Sequence, residues 1–344
     1  HEIRRIYPDQ NQLKKAAEVI KNSKQPIIIS GGGVLYSEAE KELSDFAKKH
    51  NIPVMPTAMG IGCMDKDDPY YIGPIGCLGV GSSNSLSKDT DLALAIGTKL
   101  GDFTTGSWSN FHNPDFKLVS INAARFDVTK HRATPVVSDA KIGLRELTKK
   151  LDNWKAPANW YERARKEAKE WDQYVAKASG PTNQELPTYA HAVGAVYRNA
   201  DPSDVVVTAA GGLVGEAVQI WKPKQINTFE TEWGFSCMGY EISGALGMKM
   251  AKPDQDVIVF IGDGSYLLHN SDIYSSVLYD KKLIIIVCDN GGHMVINRLQ
   301  LAKGGKEYLC NLREARATNL QFVDFAAHAQ SMGANAETVA STSE

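Results

Sequence analysis

The stretch "DVIVFIGDGSYLLHNSDIYSSVLYDKKLIIIVCDNGG", residues 256–292, decides the fold. It holds two apolar, β-branched runs, "VIVFIG" and "LIIIVC", with a helix-like segment near 270–279 between them. Continuous apolar strands on either side of a helix predict neighbours in a parallel sheet, joined by a right-handed crossover. Ligands of such sheets gather beyond the carboxyl ends of the strands. The first run ends on Gly262-Asp263-Gly264 and the second on Asp289-Asn290, so Asn290 follows Asp263 by 27 positions. If the two strands are close in the sheet, Asp263, Asn290 and the main-chain carbonyl of Gly292 form a hard oxygen site. Such a site leaves positions open for phosphate oxygens and water, as Mg²⁺ prefers. Gly264 and Ser265 open the intervening helix, where backbone N–H groups and the helix dipole favour a diphosphate.

Outward from this unit the same rhythm continues. "DVVVTAAGG" (204–212) reads as a strand running into glycines, and "CMGYEISGALGMKMA" (237–251) as a helix of small residues. "LQFVDFAAHAQSMGA" (320–334) reads as a last helix. In the first half, "NQLKKAAEVIKNSK" (11–24) and "SEAEKELSDFAKKH" (37–50) have helical periodicity around the buried strand and glycine loop "QPIIISGGG" (25–33). "IPVMPT" (52–57), "LALAIGT" (92–98) and "FKLVSIN" (116–122) are further strands. The segment 154–184 is charged and helical, then punctuated by Pro and Gly, which reads as an interdomain helix and linker. The fold class is α/β, with two doubly wound parallel-sheet domains. The expected division is a central domain over 1–155, the connecting segment over 156–186 and a cofactor-binding domain over 187–344.

Composition narrows the function classes. Lys and Arg number 38 against 40 Asp and Glu, so there is no basic footprint for nucleic acid and no polybasic signal for a membrane. No apolar run approaches the roughly 18 residues of a membrane span. The five cysteines, Cys63, Cys77, Cys237, Cys288 and Cys310, form no C-x-x-C pair and read as thiols in a reducing compartment, which makes the cytoplasm the expected location.

Gly-Asp-Gly followed at this distance by Asn, after a second Ile/Val-rich strand, resembles the signature of thiamine diphosphate enzymes. Two further segments resemble the acetolactate synthase-like members of that superfamily. "TAAGGLVGE" is similar to their loop at the far end of the diphosphate, with Gly212 and Leu213 as the implied contacts. "WGFSCMGYEISGALG" (233–247) is similar to their Met-Gly segment. The resemblance implies that Met238 lies under the bent cofactor and that the carbonyl of Ser236 accepts from its aminopyrimidine. Gly262, Gly264, Ser265 and Asn290 would complete the cofactor contacts, with Asp263, Asn290 and Gly292 on the metal.

"LKKAAEVIKNSKQPIIISGGGV" is similar to the entry into the central domain of the same superfamily. Some relatives hold FAD or a nucleotide there, and the "SGGGV" loop could take one, although a tight strand–helix turn needs the same glycines. The superfamily carries its activating glutamate on a pyrimidine-binding domain N-terminal to the central one, so no catalytic acid is assigned within this chain. Glu230 and Glu232 read as loop carboxylates, and His269 and His293 as surface or loop histidines near enough to the motif that they could handle protons. "ETVASTSE" reads as stopping where a last strand would close the sheet.

"TEWGFSCMGYE" and "DNGGHMVINRLQ" resemble most the trihydroxycyclohexanedione hydrolases of myo-inositol catabolism. Gly291, His293 and Met294 depart from that pattern, and Asp289-Asn290 departs from acetolactate synthases. The resemblance implies hydrolytic opening of a cyclic 1,2-diketone to 5-deoxy-glucuronate by a homodimer or homotetramer whose site lies between subunits. The competing expectations are an acetolactate synthase or other 2-oxo acid enzyme of the same superfamily, and a non-catalytic cofactor-binding fragment.

Overall fold

The computed structural model describes residues 3–232, 234–317, 319 and 322–341. The chain forms two compact units: His1–Lys177 with Lys222–Asn227, and Ala178–Trp221 with Thr228–Glu344.

The first unit is built on a five-stranded parallel sheet. Its strands are β1 (Pro26–Ser30), β2 (Val54–Pro56), β3 (Leu92–Ile96), β4 (Lys117–Asn122) and β5 (Thr134–Val137), in the order β2-β1-β3-β4-β5. Strand periodicity sorts the side chains between two cores. Ile28, Leu94 and Val119 pack with Leu13, Leu43 and Phe46 on one face. Ile27, Ile29, Ala93 and Ala95 pack with Leu86, Trp160 and Ala164 on the other. The helix Ala158–Ala178, read from its charges as interdomain, buries Trp160, Ala164 and Ala168 at a four-residue spacing, one apolar stripe of a helix. The Trp160 indole N–H also donates to the Pro26 carbonyl at 2.9 Å.

The second unit carries a parallel sheet in the order β7-β6-β8-β9, formed by β6 (Val205–Thr208), β7 (Phe229–Thr231), β8 (Val257–Gly262) and β9 (Ile284–Cys288). β8 and β9 are direct neighbours, with Ile258 opposite Ile284 and Gly262 opposite Cys288. Between them lie the short helices Asp263–Leu268 and Asp272–Leu278. Val205, Val207, Val257, Val259 and Ile261 pack with Ile242, Ala245, Tyr266 and Ile273. Every residue of β9 is only half buried. The helix read at 237–251 starts at Tyr240, leaving Ser236–Gly239 as loop. The last helix covers Phe325–Ser331, and positions 320 and 321 of the expected helix lie outside the described residues. Among the described residues, no helix is long and apolar enough to cross a membrane.

Candidate cofactor site

The β8–β9 register answers the question the sequence raises. Gly262 faces Cys288, so Asp263 and Asp289 leave adjacent strands side by side and Asn290 follows one residue on. The Asp263 carboxylate is nearly buried and accepts from the Gly292 N–H at 2.8 Å and from the Gly264 N–H. Burial pushes its pKa up; the two N–H groups pull it down, and the Asp289 carboxylate within hydrogen-bonding reach pushes it up again. Among the described residues no lysine, arginine or histidine forms an ion pair with it. Two carboxylates in contact need a shared proton or a cation between them. The donor set therefore fits a hard divalent ion, without a cluster of three or more acidic, His or Cys ligands among the described residues.

The other expected ligands lie around this pair. Asn290 donates through its amide nitrogen to the Tyr189 hydroxyl, which leaves the amide oxygen as the end that could meet a cation. Gly292 adopts φ 145° and bridges to Asn311. The bonds of that bridge run from the His293 N–H to the Cys310 carbonyl and from the Leu312 N–H to the Gly291 carbonyl. Neither uses the Gly292 carbonyl. Any Cβ at Gly292 would stand 2.2 Å from the Cys310 carbonyl oxygen, which demands glycine there.

On the β6 side, Gly211–Ile220 is a helix whose first turn contains Gly212 and Leu213. The Leu213 side chain belongs to the core, so its backbone N–H is what it can offer a ligand. The Arg298 guanidinium lies over Gly212, its Nη2 2.5 Å from where a Cβ would stand, with the Tyr189 ring beside it. Glycine at 262 looks onto open space: a Cβ there meets nothing within 4 Å.

Met238, Gly264 and His293 converge. A Cβ on Gly264 would lie 2.9 Å from His293 Nδ1 and 3.3 Å from Met238 Cε. Ser236 holds a left-handed φ of 55°, and its hydroxyl donates to the Ala209 carbonyl at 3.1 Å. Glu232 accepts from the N–H groups of Phe235 and Cys237, and so closes this loop. Glu230 sits in β7, where burial raises its pKa against the pull of Lys252. His269 pairs with Asp272.

Thus Gly212, Met238, Asp263, Gly264, Asn290 and Gly292 converge at the carboxyl ends of β6, β8 and β9. Sequence reasoning missed Tyr189, Glu241, Asp289 and Arg298 as neighbours of this site. Asp289 was recoverable from strand register. Tyr189 stands 101 positions from its partner and carries no local signal.

Comparisons with known proteins bear on the family. Residues 13–147 match the profile "Thiamine pyrophosphate enzyme, central domain", and residues 209–344 match "Thiamine pyrophosphate enzyme, C-terminal TPP binding domain". Three similar curated proteins bear the name 3D-(3,5/4)-trihydroxycyclohexane-1,2-dione hydrolase. That of Halalkalibacterium halodurans is 34% identical over 100% of this chain and 58% of its own length. That of Clostridium tetani is 33% identical over 97% of this chain and 56% of its own length. That of Lacticaseibacillus casei is 34% identical over 98% and 56%. The chain thus spans somewhat over half the length of these relatives. By both profiles and by relatives matched along its whole length, the chain belongs to the thiamine pyrophosphate (thiamine diphosphate) enzymes, of which it carries the central and the C-terminal cofactor-binding domains.

Proposed function

We propose that the complete protein carrying this chain is a cytoplasmic, thiamine diphosphate- and Mg²⁺-dependent hydrolase of a C–C bond. Its substrate is trihydroxycyclohexane-1,2-dione and its product 5-deoxy-glucuronate, in the degradation of myo-inositol. The observation that carries this reading is the match of relatives bearing that hydrolase name along 97–100% of the chain. The segments "GFSCMGYE" and "INRLQ" support it.

The chemistry the cofactor supplies when bound is an electron sink for breaking the bond between two adjacent carbonyl carbons. This chain's residues bind and orient. Asp263, Asn290 and the Gly292 carbonyl hold Mg²⁺, while Gly212, Leu213, Gly262, Gly264 and Ser265 receive the diphosphate through backbone N–H groups. Met238 supports the bent cofactor, and the Ser236 carbonyl accepts from the aminopyrimidine. Nδ1 of His293, over Gly264 and beside Met238, is placed to hold or move a proton. The acid that activates the aminopyrimidine belongs to a pyrimidine-binding domain of a facing subunit, so the working site lies between subunits of a homodimer or homotetramer.

Two measurements on the complete protein test this. Mg²⁺ and thiamine diphosphate together are expected to raise the melting temperature, as any ligand of the folded state must. Offered trihydroxycyclohexanedione and pyruvate side by side, the protein is expected to open the diketone and to make little acetolactate. Acetolactate as the main product would overturn the substrate assignment.

A further inference from the structure

Glu241 lies in the first turn of the helix Tyr240–Ala251, and its side chain is fully buried. A buried carboxylate costs several kcal/mol unless donors surround it, as an order of magnitude. Here every donor is neutral, and they come from different segments. One carboxylate oxygen accepts from the Ala210 N–H at 3.2 Å, the other from the Gly239 N–H at 2.8 Å. The Ser265 hydroxyl and Glu241's own N–H complete the set.

What these donors have in common is their position. Ala210 is the residue before the helix Gly211–Ile220, on the loop that ends β6 and carries Gly212. Gly239 follows Met238 and caps the helix Tyr240–Ala251 in a left-handed conformation. Ser265 belongs to the Gly-Asp-Gly-Ser turn that ends β8 and carries Asp263. Each segment would otherwise leave a polar hydrogen unpaired next to the core. One carboxylate ties all three together, and among the described residues no lysine or arginine forms an ion pair with it.

We propose that Glu241 is the positioning residue of this site: its carboxylate holds the diphosphate loop, the Met238 loop and the metal turn in one fixed arrangement before any cofactor arrives. The inference rests on the thiamine diphosphate reading for the identity of the ligand, but the tie itself is a property of the folded chain. An amide in its place keeps the size and one acceptor oxygen, yet turns an N–H₂ toward an N–H donor. One of the three segments is then released.

The test uses the complete protein with Glu241→Gln, Glu241→Ala and Ser265→Ala, measured by calorimetry with thiamine diphosphate and Mg²⁺. Affinity for the cofactor is expected to fall by about ten- to a hundredfold in the Gln variant, as for residues that orient ligand-holding groups. The KM for the diketone at saturating cofactor is expected to stay near that of the wild type. A Gln variant of lower melting temperature but unchanged cofactor affinity would mean a merely structural carboxylate and would overturn the proposal. Should neither Glu241 variant fold, Ser265→Ala carries the affinity measurement, with a weaker loss expected and no loss overturning the idea. Hydrogen exchange on the wild type separates this inference from the functional one. Strong protection of the Ala210 and Gly239 amides without cofactor supports the tie, even if thiamine diphosphate fails to bind. Exchange at the rate of open loops overturns it, even if the cofactor binds well.

Discussion

The two units present the same local design, a buried parallel strand running into glycines and then a helix, and several of these glycines serve different ends. After β1, Gly31 and the first turn of the helix Gly32–Tyr36 lie against the backbone after β3. A Cβ on Gly31 would stand 2.4 Å from the Gly97 carbonyl oxygen, and one on Gly33 would stand 2.6 Å from the Gly97 Cα. These glycines serve chain-on-chain packing. At the carboxyl ends of β6, β8 and β9, by contrast, Cβ atoms on Gly211, Gly262 or Gly291 would meet nothing within 4 Å. There the absent side chains leave room at the strand ends. The difference teaches that a glycine-rich turn does not mark a ligand site by composition. At these same strand ends Gly212, Gly264 and Gly292 are crowded by the Arg298 guanidinium, the His293 ring and the Cys310 carbonyl, so open space belongs to single positions and not to the whole turn.

The largest effect expected from breaking this contrast is at the open end. Asp263→Ala is expected to remove measurable Mg²⁺-dependent cofactor binding, because the carboxylate is central to the proposed oxygen site. Asn290→Ala loses a neutral ligand and is expected to weaken binding less. Calorimetry on the complete protein decides it, and unchanged affinity in Asp263→Ala would refute the metal assignment.

A glycine pair sharpens the comparison directly. Gly33→Ala forces a methyl group into backbone and is expected to cost about 1–3 kcal/mol of stability in a urea titration. Gly262→Ala has open space and an ordinary φ of −83°, so its stability is expected to change by less than about 0.5 kcal/mol. Its cofactor affinity, however, is expected to fall. If the two exchange behaviour, the distinction between a filled and an open turn is wrong.

The smallest effect is chemical. Cys63 is buried against the Ser30 hydroxyl at the end of β1, with Sγ to Oγ 3.1 Å, and burial pushes its thiol up to about 12. Cys237, beside Met238, is exposed; desolvation and the Glu232 carboxylate raise its thiol too, so the contrast rests on access. The thiolate is the reactive form, so at mildly alkaline pH an alkylating reagent is expected to label Cys237 and spare Cys63, read by peptide mass spectrometry. Labelling of Cys63 in the folded protein would show that the first loop opens.

The parts legible in the sequence share one property: their signal is local. "VIVFIG" and "LIIIVC" declare two buried strands, and their lengths with the intervening helix declare the parallel crossover. β5 and β7 escape because "TPVV" and "FET" are short and carry no alternation; neighbouring strands define them. The helix Ala158–Ala178 is rich in charge, and only its three-residue stripe shows which sheet it covers. At the site, Asp263 and Asn290 are legible from spacing. Their companions are not, because Tyr189, Arg298 and Glu241 take on meaning only once separate strands are brought to one edge. Asp289 is an intermediate case, since counting along the β8–β9 register places it beside Asp263.

The half-exposed last strand has a consequence for handling the protein. β9 runs Ile-Ile-Ile-Val-Cys at one end of the sheet order, without a proline or a charge inside it. An edge of that kind offers unpaired backbone groups and apolar flanks to any other extended chain. Among the described strands β9 is such an edge, and a second copy is expected to pair along it. Self-association is expected to grow with concentration, read by light scattering on increasingly concentrated protein.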